Sequence, residues 1–160
     1  MTWRVFITVL ALAFAIRVSV FAVALLCAKD FAVFHLKDTG TYLQPAAELL
    51  ATGTFSTNGV PEIMRTPGYP LLLAIGLKLG HVEGVTILLQ IMLSCLTCYL
   101  VYSIAKQVFE PERTAVCAAF LFSIEPLSVL HSCLLLSDTL FVFFLAAAAN
   151  ASADNSQFRN

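Results

Sequence analysis

The chain has 160 residues, 59% of them apolar and 12% charged, with a formal net charge of −1. Ordinary soluble domains are about 25% charged, and a soluble fold of this length could not hide so much apolar surface, whereas lipid can. The near-neutral balance supplies no basic face, which argues against nucleic acid as a partner.

Taken in order, the first apolar stretch is 5–28, broken only by Arg17. About 20 apolar residues cross a bilayer core, so it is long enough to span. A cleaved signal peptide is the rival reading, with 5–16 as its apolar region. Apolar and small residues continue over 18–28, however, and Leu26 before Cys27 spoils a lipoprotein cleavage site, so an uncleaved span is favoured. Arg17 has two open readings: pairing with an acid in the bundle, or snorkelling to a lipid phosphate.

Residues 29–83 form a long loop. Thr41-x-x-Gln44 has capping-box spacing, and Tyr42, Ala46, Leu49 and Leu50 follow as a helical apolar stripe. Pro45 is expected near the first turn and Gly53 is placed to end the helix in a left-handed conformation. A second short helix is expected from Pro70 to Gly80. Residues 71–79 are too few to cross a bilayer, so both helices read as interfacial, lying on the outer surface.

The run 84–105 carries no charge and gives the strongest expectation of a span. Phe109-Glu110-Pro111-Glu112, flanked by Lys106 and Arg113, reads as a tight loop between antiparallel helices. A third span over 114–130 is expected to kink at Pro126, and a fourth to occupy 134–150. Both are short, which points to packing around a water-accessible cavity. The tail 151–160 looks solvated or frayed. The fold class is therefore all-α, a polytopic bundle of about four transmembrane helices forming a single membrane domain. Four of the five cysteines fall inside apolar runs, and Cys95-x-x-Cys98 has no second metal-ligating pair nearby, so they read as small packing residues. The count of Lys and Arg does not decide orientation: Arg4, Lys106, Arg113 and Arg159 balance Lys29, Lys37, Arg65 and Lys78. The short second loop favours the N-terminus inside.

With that threading, Asp38, Arg65 and Asp138 arrive on one membrane face. Ionisable groups at membrane depth are costly and usually functional. Two acids and an arginine at a lipid surface suit the cutting of a phosphate-linked bond; a structural lid is the plainer alternative. Tyr42 and Tyr69 suit an interfacial aromatic belt, with sugar stacking as the other reading. Lys37 is either a solvated lysine or an attractor of an anionic donor. His131 is interfacial or a polar lining group. Glu125 beside Pro126 reads as a helix cap or kink.

The pattern Asp38-x3-Tyr42-x3-Ala46-x2-Leu49-x3-Gly53, then Arg65-Thr-Pro-Gly-Tyr-Pro-Leu-Leu-Leu-Ala74, then Glu125-Pro126 and Leu136-Ser137-Asp138, resembles the GT-C membrane glycosyltransferases. The likeness is to the protein mannosyltransferase and aminoarabinose transferase group. It implies transfer of a hexosyl or pentosyl group, with inversion, from a polyprenyl-phosphate carrier to an acceptor outside the cytoplasm. It also implies a multi-pass protein of the plasma or inner membrane. By resemblance Asp38 matches the first-loop acid, a general base or metal ligand near the acceptor. Asp138 matches the second acidic position, which in some members holds a divalent metal ion. Arg65 matches the basic residue that steadies the phosphate leaving group. Tyr42 and Tyr69, on the sugar-stacking reading, and Lys37, on the donor-attracting one, are the candidate substrate-binding residues.

Asp38 is followed by Thr39 where many relatives carry Asp-Glu, and Met64 stands where a Glu would precede the basic residue. The chain is also shorter than the family pattern. A truncated reading frame, a split enzyme needing partner helices or subunits, and an inactive remnant are the open explanations. The competing functions are a non-catalytic membrane subunit that binds lipid or partner helices, and a transporter fragment. The latter would place charge at broken helices near the bilayer midplane, whereas the acids here cluster at one rim.

Overall fold

The computed structural model describes residues 2–157. In chain order these form α1 (Thr2–Ala28), a 3-10 turn (Phe31–Phe34), α2 (Thr39–Thr52), β1 (Ser56–Thr57), β2 (Val60–Pro61), α3 (Gly68–Lys78), α4 (Val82–Val108), α5 (Glu112–Ile124), α6 (Pro126–Cys133) and α7 (Asp138–Gln157). This is an all-α membrane helix bundle. By length and composition α1 (from Trp3) and α4 can each cross a bilayer, and α5 with α6 makes a third span if the bent pair is one. The fourth expected span corresponds to α7, which does not meet the same criterion. Its apolar run ends at Ala149, and Asn150, Ser152 and Asp154 follow within the same helix. The helix begins at Asp138 rather than 134 because 134–137 form a bend held by other contacts. It continues to Gln157, so the expected tail is helical rather than frayed, with 151, 152 and 154 exposed. Residues 158–160 of that tail lie outside the described residues.

Only one side of α1 is covered. Phe6, Val9, Ala13 and Arg17 are buried at helical spacing, while Phe14, Val23 and Leu26 stay exposed. Two apolar clusters make up the interior. One gathers Phe6, Ala13, Cys98, Tyr102 and Ala119 between α1, α4 and α5. The other joins Phe34, Tyr42, Tyr69, Leu73, Ile91 and Leu135 under the long loop. Gly76 makes the second possible: a methyl there would lie 2.8 Å from the Val82 carbonyl oxygen and 2.9 Å from the Val82 Cα, so α3 folds tightly onto α4 only without a side chain at 76. Cys98 and Cys133 are buried as packing residues, but Cys27 and Cys117 lie on the exposed surface, and all five thiols are free.

The kink at Pro126 is a full break. Pro126 has no N–H to continue the ladder, and the residue before a proline is driven to extended backbone; Glu125 sits at φ −63°, ψ 119°. Its carboxylate caps the new helix by accepting from the Leu127 and Ser128 amides, and α5 and α6 meet at 52°.

Three local expectations in the loop are corrected. α2 starts at Thr39, so Pro45 lies in the helix interior rather than the first turn. Thr41 and Gln44 make no capping box: the Thr41 hydroxyl donates to the Asp38 carbonyl at 2.7 Å, and Gln44 Nε2 donates to Asn58 Oδ1 at 2.6 Å. α3 starts at Gly68, two residues before Pro70, and ends at Lys78 ahead of Gly80. Gly53 does end α2 in the left-handed region, at φ 73°. Between the two helices a hairpin pairs Ser56 with Pro61 and Thr57 with Val60. Its turn, Asn58-Gly59, has φ 54° and 76°, as a tight two-residue connection requires.

Candidate active site at the loop end of the bundle

Far-separated segments converge because the bend at 134–137 is stitched to the first loop. The Leu135 amide donates to the Phe34 carbonyl at 3.0 Å. The Thr39 hydroxyl donates to the Leu135 carbonyl at 3.1 Å while accepting from the Leu36 amide at 2.9 Å. From α4, Gln90 Nε2 donates to the carbonyls of His131, Leu134 and Leu136 at 3.2, 2.9 and 3.3 Å. His35 Nε2 lies 3.2 Å from Glu83 Oε1, tying the segment before Asp38 to the start of α4. Asp38, the cap residue of α2, and Asp138, the first residue of α7, therefore sit at the same end of the bundle.

Arg65 is the hub. Its Nη2 lies 3.5 Å from Asp38 Oδ1, its Nη1 donates to the Tyr42 hydroxyl at 3.0 Å, and its guanidinium carbon stands 4.4 Å from the Tyr42 ring centroid. A cation over an aromatic face is attracted by the ring quadrupole. The Tyr42 hydroxyl is also 3.1 Å from Ser137 Oγ, next to Asp138. The Arg65 backbone is fixed as well. Glu62 accepts from the Thr57 hydroxyl at 2.6 Å, the Met64 amide at 2.7 Å and the Arg65 amide at 3.2 Å. Those bonds, the Thr57 hydroxyl first and then the Met64 amide, hold the Glu62 carboxylate below its ordinary pKa. Glu48 does the same for the hairpin turn, accepting from Ser56 Oγ at 2.6 Å and from the Asn58 and Gly59 amides.

Two clefts lie beside this hub, one bordered by Arg65 and the other by the next residue, Thr66. One, of about 470 Å³, is lined by Gly40, Thr41, Gln44, Thr57, Glu62, Met64 and Arg65, most of them residues with polar side chains. The other, of about 370 Å³, has Thr66, Ser137 and Asp138 at one side and Leu140, Phe141 and Phe144 at the other. Arg65 borders the first, and the Tyr42–Ser137 contact leads from it to the second. Asp38 is well exposed, with 60% of its side chain accessible, and Lys37 beside it is exposed too. Tyr69 lines the second cleft but is only 1% exposed, so it is no member of an exposed aromatic belt. Its ring meets Tyr42 edge-on at 5.1 Å and its hydroxyl donates to Gln90 Oε1 at 3.3 Å. Burial, then Tyr42 and Asp138, push the Tyr69 phenol well above its ordinary pKa, so it acts as a neutral donor. Tyr42 is likewise buried.

The matching family is described as dolichyl-phosphate-mannose-protein mannosyltransferase, and the match covers residues 64–157. The chain belongs to that family. No curated protein and no solved structure matches it. The family segment opens beside the hub, at Met64, and includes Arg65, Tyr69, Gln90 and Asp138; Asp38 and Tyr42 lie ahead of it. Among the described residues no three His, Cys, Asp or Glu side chains gather as a metal-ligand set, and the Asp38 carboxylate already faces the Arg65 cation.

Sequence reasoning missed Gln90, Ser137 and Glu62. A lone Gln inside an apolar span is a readable signal, since a buried amide needs partners; the roles of Ser137 and Glu62 depend on tertiary contacts. Arg17 meets neither of its two expectations. It is fully buried, and its hydrogen bonds go to neutral oxygens: Ser94 Oγ at 2.8 Å, Ala13 O at 3.1 Å, Ser123 O at 3.0 Å and Ser128 Oγ at 2.9 Å. In an unbroken helix the Ser123 carbonyl would accept from the amide of residue 127, which here bonds Glu125. Arg17 takes up the freed acceptor at the negative end of α5.

Proposed function

We propose that the chain carries the reacting end of a multi-pass membrane glycosyltransferase. It would move a hexosyl or pentosyl group, with inversion, from a polyprenyl-phosphate carrier to a hydroxyl acceptor on the extracytoplasmic face of the plasma or inner membrane. The observation that carries this reading is Arg65, shared by Asp38 and Tyr42 beside a polar cleft and a half-apolar one. The half-apolar cleft suits a lipid-linked donor, with Phe141 and Phe144 beside the isoprenoid chain and Ser137 near the phosphate. The polar cleft suits the acceptor.

In this mechanism the donor phosphate competes with Asp38 for the Arg65 guanidinium. As the glycosidic C–O bond breaks, negative charge grows on the departing phosphate, and a bidentate arginine stabilises it. Asp38, relieved of its cation, takes the proton of the acceptor hydroxyl as that oxygen attacks the anomeric carbon from the opposite face. Lys37 raises the local concentration of the anionic donor. Asp138 borders the donor cleft and orients the sugar hydroxyls.

Asp38→Asn keeps the shape and removes the base. In membranes containing the chain and any partner subunits, transfer from a polyprenyl-phosphate sugar should fall by about 10²–10⁴-fold, with insertion unchanged. Undiminished transfer would contradict the reading and favour a non-catalytic subunit. The transporter alternative gains one feature, a cation at the α5–α6 break, but Arg17 commits its hydrogen bonds there to the bundle's own oxygens.

A further inference from the structure

Behind Asp138, away from the donor cleft, lies a small cavity of about 30 Å³ between α4, the α5–α6 break and the start of α7. Ser94, Ser128, His131, Asp138 and Thr139 are among its lining residues. It is too small for a sugar, but about 10–15 Å³ of such space is enough to hold a water molecule, so one fits.

The hydroxyl groups around it have hydrogens to place. Thr139 is buried, 7% exposed, and its Oγ1 has no hydrogen-bond partner. A helical threonine usually turns its hydroxyl back to the carbonyl three or four residues earlier. Here the Leu136 carbonyl accepts from Gln90 and the Leu135 carbonyl accepts from Thr39. Ser94 and Ser128 each accept from Arg17, and their oxygens lie 3.4 Å apart. Only one of the two can donate to the other, so one serine hydrogen is left over. Asp138, whose carboxylate can accept a hydrogen bond, is among the residues that line the same cavity and completes the set.

We propose that this cavity is a resident water site, in which one water accepts from Thr139 and from the Ser94–Ser128 pair and donates to Asp138. The water couples the Arg17 knot to the carboxylate bordering the donor cleft, and so makes Thr139 a positioning residue for Asp138. The relevance of this water to transfer rests on the function proposed above; the hydration itself does not.

Thr139→Val, made in the full chain in lipid, keeps the shape and removes the hydroxyl. A hydrated cavity loses an anchor, and Tm should fall by about 3 °C. In a dry cavity the substitution only removes an unpaired buried hydroxyl, so an unchanged or higher Tm overturns the proposal. The second measurement is water-edited solid-state NMR. In the unsubstituted chain the Thr139 methyl and the Asp138 carboxyl carbon should receive magnetisation from water, and Asp138 should lose most of it in T139V. No transfer from water to either carbon overturns the proposal independently of folding. Should Asp38→Asn leave sugar transfer intact while these signals persist, the functional reading fails and the water site stands.

Discussion

Arg17 inside the bundle and Arg65 at its mouth carry the same guanidinium under opposite constraints. Arg17 is fully buried and spends its donors on two hydroxyls and two backbone carbonyls, one of them freed by the helix break. Arg65 keeps 27% of its side chain accessible and faces a carboxylate, a phenol and an aromatic ring, beside two clefts. The first arrangement commits four of the five N–H donors to the bundle's own oxygens and holds α1, α4, α5 and α6 together. The second leaves it able to exchange an exposed, 3.5 Å carboxylate contact for a better anion. Position relative to a cleft, rather than residue type, separates the structural arginine from the functional one.

The largest expected effect tests the outer arginine. Arg65→Ala should lower sugar transfer by about 10²–10³-fold, as loss of a group that stabilises developing charge does, while thermal stability stays near that of the parent. Arg65→Lys should recover only part of the rate, because an ammonium cannot hold phosphate bidentately and stack on Tyr42 in the same way. A collapse of the fold on Arg65→Ala would erase the distinction. Next comes the inner arginine. Arg17→Met removes the partner of the buried Ser123 carbonyl and should cost about 1–3 kcal/mol for that orphaned group, read by thermal unfolding in detergent. Arg17→Lys should rescue little, since it lacks the planar fork that reaches four acceptors. Unchanged stability in Arg17→Met would contradict the structural role.

The smallest effect concerns how Arg65 is held. Hydrogen bonds from Thr57, Met64 and Arg65 lower the folded-state pKa of Glu62 below its ordinary value of 4.5. A depressed carboxylate stabilises the fold fully above its unfolded pKa, and that contribution is lost as pH falls through the lower folded value. Exchange at the Met64 and Arg65 amides should therefore show less protection below pH 4.5 than above it, once corrected for intrinsic rates. Glu62→Gln should remove that acid dependence. The carboxylate is solvent-facing, so the change should stay local.

These comparisons also show what could be read from the sequence. Composition and the charge-free run gave the bundle, and the edges of α1 and α4 fall within a few residues of those expected, because lipid-spanning helices write their length in apolar residues. Gly53 and Pro126 were legible because each acts through its own backbone. The hairpin was missed even though Asn58-Gly59 is a strong turn signal, since its strands are two residues long and carry no clear alternation. Asp38, Arg65 and Asp138 could be listed, and a shared end of the bundle inferred from threading. Of the contacts that bring them there, Leu135 on Phe34 is a main-chain bond with no sequence signature. A lone Gln90 in an apolar run signals that its amide needs partners without saying which carbonyls it finds. The partners of Arg17 were hidden for the same reason, being hydroxyls and carbonyls rather than acids.

The proposed transfer requires Asp38, Arg65 and Asp138 to share one end of the bundle at a single aqueous face. Single cysteines placed at 38 and at 138 in a cysteine-free version of the chain, in sealed vesicles of known sidedness, test this with a membrane-impermeant maleimide. Labelling of both from the same side is the predicted result; labelling of the two from opposite sides would contradict it.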